Sequence, residues 1–340
     1  VSAPDRRAEE VTVADLRIGV MSTARIAVRQ VIPAMQAAAR CEVAAIASRD
    51  VDRARAAADT LGIARAHGSY EALLEDEGIN AVYIPLPNHL HAEWAIAAAE
   101  AGKHVLCEKP LAMSSVEARE MADACRNAGV ILMEAFMYRL HPSWVAVREM
   151  MASGRIGSLA TVQSWFSFFN DDPENIRNIA AYGGGALMDI GCYCINQSRM
   201  LFGGEPVAVS AVQMHDPHSG VDILTSGLLE FEEGTAAFTC CIRCEPDQRV
   251  DIYGTEGRIS VEIPFNIPAG RPTRVFVTAG GEPPTERATE TLTFASADQY
   301  TIEAEAFATA VLDGADVPVP PSDSVANLEV IEKVIAAARR

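Results

Sequence analysis

Lysine is nearly missing from this chain. Its 340 residues carry 28 lysines and arginines together, and the lysines are only Lys103, Lys109 and Lys333. Positive charge of any kind is outnumbered, because 46 aspartates and glutamates leave a formal net charge of −18. Such a field repels phosphate backbones and anionic lipid, so neither nucleic acid nor a membrane surface is an expected partner. A ligand that carries phosphate then needs local help from arginines or helix N-termini. Long apolar runs are missing too: none approaches the roughly 18–20 residues of a membrane-spanning helix. Residues 1–16 are charged and lack the apolar core of a signal peptide, which predicts a flexible arm on a cytoplasmic protein. Metal-ligand pairs are likewise missing. Cys241 and Cys244 form a C-x-x-C, but no second cysteine or histidine pair stands at ligand spacing, so no metal is expected. The eight cysteines, several inside strand-like segments, fit a reducing compartment better than a disulfide framework.

What is present is rhythm. A chain of this length suggests two domains, and 49% hydrophobic with 22% charged residues is an ordinary globular composition. From residue 17 to 139, short apolar runs (16–21, 42–48, 79–87, 104–110 and 130–137) alternate with amphipathic helical stretches. That pattern predicts parallel β–α–β units with helices on both faces, a Rossmann-type α/β domain. Ser114 stands three residues before Glu117 at the head of one helix, and Gly129 ends it. From residue 140 to 340 the pattern changes to alternating strands divided by turns such as Glu233–Gly234, with helices near 142–154, 186–201, 298–313 and 322–338. This predicts an α+β domain built on a large, mostly antiparallel sheet, suited to substrate binding and to self-association.

The first strand-to-helix turn reads Ser22-Thr23-Ala24-Arg25-Ile26-Ala27. A dinucleotide fingerprint has glycine at the first and third of these positions. Serine and alanine are small enough for a pyrophosphate to approach the helix N-terminus. The second strand ends in Ser48-Arg49-Asp50, where an NAD enzyme would carry a ribose-reading acid. A hydroxyl and a guanidinium there suit a 2′-phosphate, so NADP(H) is favoured over NAD(H). The alternative reading of Arg49 is a solvated pair with Asp50 or Asp52.

Lys109 follows the fourth apolar run and precedes Pro110, which turns the backbone out of the sheet. Ligands of such sheets bind beyond the carboxyl ends of the strands, and a cation there can hold a developing alkoxide. On the helix after the Gly183-Gly184-Gly185 run, Asp189, Tyr193 and Asn196 are spaced to share one face.

The ordered set of motifs resembles the glucose–fructose oxidoreductase/inositol dehydrogenase (Gfo/Idh/MocA) family. The matching pieces are the first turn, Pro87-Asn88-x-x-His91, Glu108-Lys109-Pro110, Gly154-x-Ile156-Gly157, the glycine run with Asp189-x-Gly191-x-Tyr193, and Gly254-Thr255-x-Gly257. Many members carry histidine where this chain has Tyr193. Tyrosine there is similar to the branch holding D-xylose dehydrogenases, 1,5-anhydrofructose reductase and dimeric dihydrodiol dehydrogenase. The resemblance implies hydride transfer between a nicotinamide and a sugar carbon, with Lys109, Tyr193 and Asp189 as the catalytic group. Lys109 is expected to lower the pKa of the Tyr193 phenol and so make it a usable base. Ser22, Thr23, Ala24, Arg25, Ile26, Ser48, Arg49, Leu86, Pro87, Asn88, His91, Glu108 and Lys109 are implied on the cofactor. Arg139, Trp165 and Asn196 are expected on the sugar, Arg139 reaching either sugar hydroxyls or Glu108. The implied activity is aldose oxidation to a lactone, D-xylose first. The alternatives are reduction of a keto-sugar or 1,5-anhydrofructose, and a non-catalytic NADP(H) sensor. A homodimer or homotetramer is expected.

Overall fold

The computed structural model describes residues 15–281 and 287–338. Almost all of the expected N-terminal arm lies outside the described residues; Leu16 already opens the first strand. The first sheet has six strands in the order β3-β2-β1-β4-β5-β6. They are β1 (Leu16–Met21), β2 (Cys41–Ala47), β3 (Arg65–His67), β4 (Ala81–Ile84), β5 (His104–Cys107) and β6 (Leu132–Glu134). All its pairings are parallel. Its central strands are apolar on both faces because helices cover both, which is why the sequence shows continuous runs here rather than alternation. The covering helices are α1 (Ile32–Ala37), α2 (Val51–Leu61), α3 (Tyr70–Leu74), α4 (His91–Glu100) and α5 (Ser115–Ala128). Ser114 caps α5 by accepting the Glu117 amide, and Gly129 closes it with φ +69°. β3 and α3 were not anticipated: three residues with charged ends carry almost no hydrophobic period.

After α6 (Pro142–Ala152), the second sheet has eight strands in the order β14-β13-β12-β11-β7-β10-β9-β8. They are β7 (Leu159–Phe169), β8 (Ala208–His215), β9 (Asp222–Phe231), β10 (Gly234–Cys241), β11 (Arg243–Gly254), β12 (Gly257–Val261), β13 (Thr273–Ala279) and β14 (Thr289–Phe294). Only β7 with β10 is parallel. The sequence pattern predicts the meander only as far as β12. β13 and β14 escaped it, because β14 is Thr- and Glu-rich and half exposed. α7 (Cys192–Phe202) packs on the inner face of this sheet, while α8 (Gln299–Asp313) and α9 (Pro321–Ala338) return to the first domain. Among the described residues, no helix is long and apolar enough to cross a membrane.

Candidate active site

The turn after β5 is held from three sides. Tyr83 of β4 donates to Glu108 Oε1 at 2.6 Å, and Glu108 Oε2 accepts the Lys109 amide at 3.3 Å. His91, fully buried at the head of α4, contacts Pro110 O at 3.0 Å through Nδ1 and Leu86 O at 2.8 Å through Nε2. Leu111 N donates to Glu134 Oε1 at 2.8 Å. A turn whose backbone polar groups are paired inside the protein has one way to sit. The Lys109 side chain therefore leaves the sheet edge in one direction, towards the second domain.

What it meets there starts with the glycine run. A Cβ on Gly184 would fall 2.6 Å from Arg177 O, and one on Gly185, at φ +115°, would fall 2.1 Å from Asp222 Oδ1. Only glycine lets the chain pass between these groups. Asp222 then accepts the Leu187 amide at 2.8 Å and the Thr225 hydroxyl at 2.7 Å, which anchors the next helix. That helix opens in a widened π turn (Leu187–Gly191) before becoming α7. Such turns are frequent at functional sites.

Lys109 Nζ donates to the Asp189 carbonyl at 2.8 Å and to Asp189 Oδ1 at 3.2 Å, with both side chains nearly buried. Asp189 Oδ2 accepts from Arg177 Nε at 2.6 Å. Burial alone would push the Asp189 carboxyl up, but Arg177 and Lys109 outweigh it and hold it at about 2. Burial opposes the charge on Lys109, yet Asp189 with Cys192 and Glu108 raises it above its usual value. The ammonium lies 5.0 Å from the centre of the Tyr193 ring. Arg177 was not singled out from the sequence. It sits in an irregular segment, and only its distance to Asp189 identifies it.

Tyr193 corrects one expectation. Its ring is packed among Phe136, Tyr138, Phe166 and Phe265, and its hydroxyl lies 3.7 Å from Met137 Sδ. Burial pushes the phenol well above its ordinary value. Lys109 does not pull it down, because the ammonium faces the ring rather than the oxygen and its charge is matched by Asp189. Burial in this packing therefore favours the phenol over the tyrosinate.

The expected cofactor residues gather at the carboxyl ends of β1, β2, β4 and β5. Ser22 has φ +137°, a conformation glycine normally supplies, and its hydroxyl accepts the Ala24 amide at 2.9 Å. Ser22 thus takes up a backbone conformation that suits glycine, the residue a dinucleotide fingerprint carries at this position. Thr23 and Ile26 are half-buried and Arg25 is exposed where the helix begins. At the end of β2, Ser48 accepts the Asp50 amide at 3.2 Å. Arg49 is exposed, and its two expected acidic neighbours are engaged elsewhere: Asp50 caps α2 and Asp52 pairs with Arg55. These residues fit a dinucleotide carrying a 2′-phosphate. Pro87 leads into the turn Asn88–Leu90, and Asn88 Nδ2 donates to Gly183 O at 2.9 Å. His89 stacks on Tyr182 at 4.4 Å, so this turn touches the second domain directly.

Four other placements differ from expectation. His91 does not face the cleft, since both ring nitrogens contact backbone carbonyls inside the protein. Arg139 pairs with Asp323 of α9, not with Glu108 or an open pocket. Asn196 is buried, accepting from the Tyr138 hydroxyl at 2.6 Å and donating to Asp323 at 3.3 Å. Trp165 lies on the far side of the second sheet: on β7 its neighbours Ser164 and Phe166 point inward, so strand alternation turns Trp165 out, 36% exposed.

Two family models account for most of the chain. The oxidoreductase family with an NAD-binding Rossmann fold matches residues 16–136. The GFO/IDH/MocA C-terminal domain matches residues 144–260. The chain belongs to the GFO/IDH/MocA family of oxidoreductases. Among particular relatives, a D-xylose 1-dehydrogenase (NADP(+)) of Haloferax volcanii is 43% identical over 325 residues, 95% of this chain and 97% of that one. A 3-ketoreductase from Actinomadura kijaniata, solved with NADP and TDP-benzene, superposes with a TM-score of 0.88 at 34% identity, covering 95% of this chain and 98% of the other. Solved variants of that reductase replace one lysine and one tyrosine, spaced along its chain as Lys109 and Tyr193 are spaced here.

Proposed function

We propose that this protein is an NADP(H)-dependent sugar oxidoreductase, acting as an aldose 1-dehydrogenase that converts D-xylose or a related aldose to its lactone. The observation that carries the reading is the meeting of Lys109 from the first domain with Asp189 and the Tyr193 ring from the second. The 43% identity to a D-xylose dehydrogenase supports the substrate class. Ser22–Ile26 take the pyrophosphate, Ser48 and Arg49 the 2′-phosphate, and Leu86–Asn88 the nicotinamide side. When bound, the nicotinamide supplies the hydride acceptor.

Lys109 then stabilises negative charge growing on the sugar oxygen, and Tyr193 exchanges the hydroxyl proton. Asp189, kept ionised by Arg177, fixes the ammonium. Glu108 and His91 support the cleft from beneath, the one held by Tyr83 and the other by the turn it contacts. One observation favours the reverse reaction, reduction of a keto-sugar: a phenol kept protonated is a ready proton donor. A panel of aldoses with NADP and of keto-sugars with NADPH, followed by absorbance of the reduced cofactor, tests both. Lactone formation from an aldose supports the first reading, keto-sugar reduction alone replaces it, and no redox change with any sugar refutes the enzyme.

We also propose self-association as a homodimer or homotetramer through the outer face of the second sheet. Trp165, Val212, Met214 and Leu228 are exposed there. Light scattering that returns a monomer refutes it.

A further inference from the structure

Glu134 is a buried carboxyl that contacts the Lys109 turn and that the reaction above does not use. It ends β6, a run otherwise apolar, and is 1% exposed. One oxygen, Oε1, accepts the Leu111 amide, two residues beyond Lys109, at 2.8 Å. The other, Oε2, is buried without a partner. The Ser324 hydroxyl approaches from α9 but does not close a hydrogen bond with it. From the same helix Asp323 adds negative charge. Arg139 offsets that charge, and Arg199 of α7 pairs with Asp323 at 3.1 Å. The thiols of Cys107 on β5 and Cys192 on α7 also feel Glu134, and burial keeps both protonated.

An ionised carboxylate with a bare oxygen in such a place is costly. It persists for a reason, and the geometry names one. The other two holds on this turn come from Glu108 and His91, both inside sequence motifs that point to the site. Glu134 arrives from a separate strand and pairs the one remaining amide.

We propose that Glu134 is a positioning residue for the reaction: by accepting the Leu111 amide it fixes the turn from which Lys109 reaches Asp189. This rests on reading Lys109 as catalytic. Either protonation state of Glu134 leaves an oxygen for the amide, so its role is a hydrogen bond and not a charge.

The same environment leaves a thermodynamic mark. Burial, with Asp323, pushes the carboxyl up to about 7, against the opposing pull of the Ser324 hydroxyl, the Leu111 amide and Arg139. Because the folded value lies above the unfolded one, stability from this group is complete below the unfolded pKa and is lost as pH rises through 7. Glu134→Gln keeps the acceptor oxygen and cannot titrate.

The test measures three things in wild type, Glu134→Gln and Glu134→Ala. Thermal melts should give Glu134→Gln a melting temperature equal to or below wild type at pH 5 and several degrees above it at pH 8.5. Turnover should fall roughly 10–100-fold in Glu134→Ala, the usual effect of a misplaced catalytic group. In the same variant NADP affinity, read by protein fluorescence, should stay within about two-fold, since the phosphate contacts lie on other strands. Glu134→Gln should restore turnover to within about three-fold of wild type, as a retained hydrogen bond requires. If Glu134→Ala does not fold, Glu134→Asp, shorter by one methylene, carries the turnover test. An alanine or aspartate variant with wild-type turnover overturns the proposal, as does a glutamine variant as slow as alanine. A melting difference that is flat across pH overturns the buried-carboxyl assignment, and this measurement stands even if Lys109 proves dispensable.

Discussion

Two turns at the same edge of the parallel sheet are built in opposite ways. The turn after β5 has Lys109 N, Pro110 O and Leu111 N each contacted by a largely buried side chain. The turn after β1 has Ser22 at φ +137°, with its own hydroxyl accepting the Ala24 amide. Under the proposed function, the difference follows from what each turn does. A turn that delivers one charge to one place gains from being over-determined, because a shift of about 1 Å can cost two orders of magnitude in rate. A turn that receives phosphates has to keep amides available, and it tolerates strain that a ligand relieves.

The largest effect that would sharpen this contrast comes from the rigid turn. Lys109→Ala should lower turnover by roughly 10²–10⁴, the range for removing a charge-stabilising group, with NADP binding retained in equilibrium titration. Tyr193→Phe should do the same. Unchanged turnover in either removes that residue from the chemistry. Next, His91→Ala strips the contacts from Leu86 O and Pro110 O inside the protein. A neutral imidazole donates through one nitrogen only, so at about 1–3 kcal/mol for one carbonyl left unpaired, unfolding in urea should show a loss of roughly 1–3 kcal/mol. A loss below about 1 kcal/mol would place His91 outside the frame.

The receiving end is tested by Arg49→Ala, expected to weaken NADP roughly 10–100-fold with little change in NAD, as a lost charge-assisted phosphate contact would. Equal losses for both cofactors would contradict the 2′-phosphate role. A smaller signal is the pH profile. With the Tyr193 phenol held well above its ordinary value, the proton-accepting form is scarce at neutrality, so sugar oxidation should keep accelerating into the alkaline range. A plateau already at pH 7 would mean another group takes the proton. The smallest effect is Ser22→Gly. Relief of the positive φ, less the hydrogen bond lost, should stabilise the protein by about 1 kcal/mol in denaturant unfolding. A destabilised variant would show the serine hydroxyl outweighs the strain.

Each turn was partly legible in the sequence: the small residues Ser22 and Ala24 marked the strained one, but not its positive φ. Glu108, Lys109 and Pro110 announce themselves because a lone lysine at a strand end before proline is rare in a chain with so few lysines. Glu134 does not, since one acid in an apolar run gives no sign of which amide it meets. Arg177 is hidden in a loop without periodicity, and its value depends wholly on reaching Asp189 at 2.6 Å. Trp165 was misplaced for a related reason: the sequence establishes that β7 alternates, but not which set of side chains faces α7.

By itself, the order of residues determined the alternation of parallel strands and helices, the second sheet, the cap at Ser114 and the lysine at the strand end. These are local choices, decided by hydrophobic period and turn chemistry over a few neighbours. Only the tertiary structure decided that Asp189 lies between Lys109 and Arg177, that Tyr193 packs among aromatic rings with its phenol pushed above the ordinary value, and that Asn196 and Arg139 pair with Asp323. Those outcomes depend on distances between segments far apart in the chain and on how deeply each charge is buried, and neither is a property of local sequence.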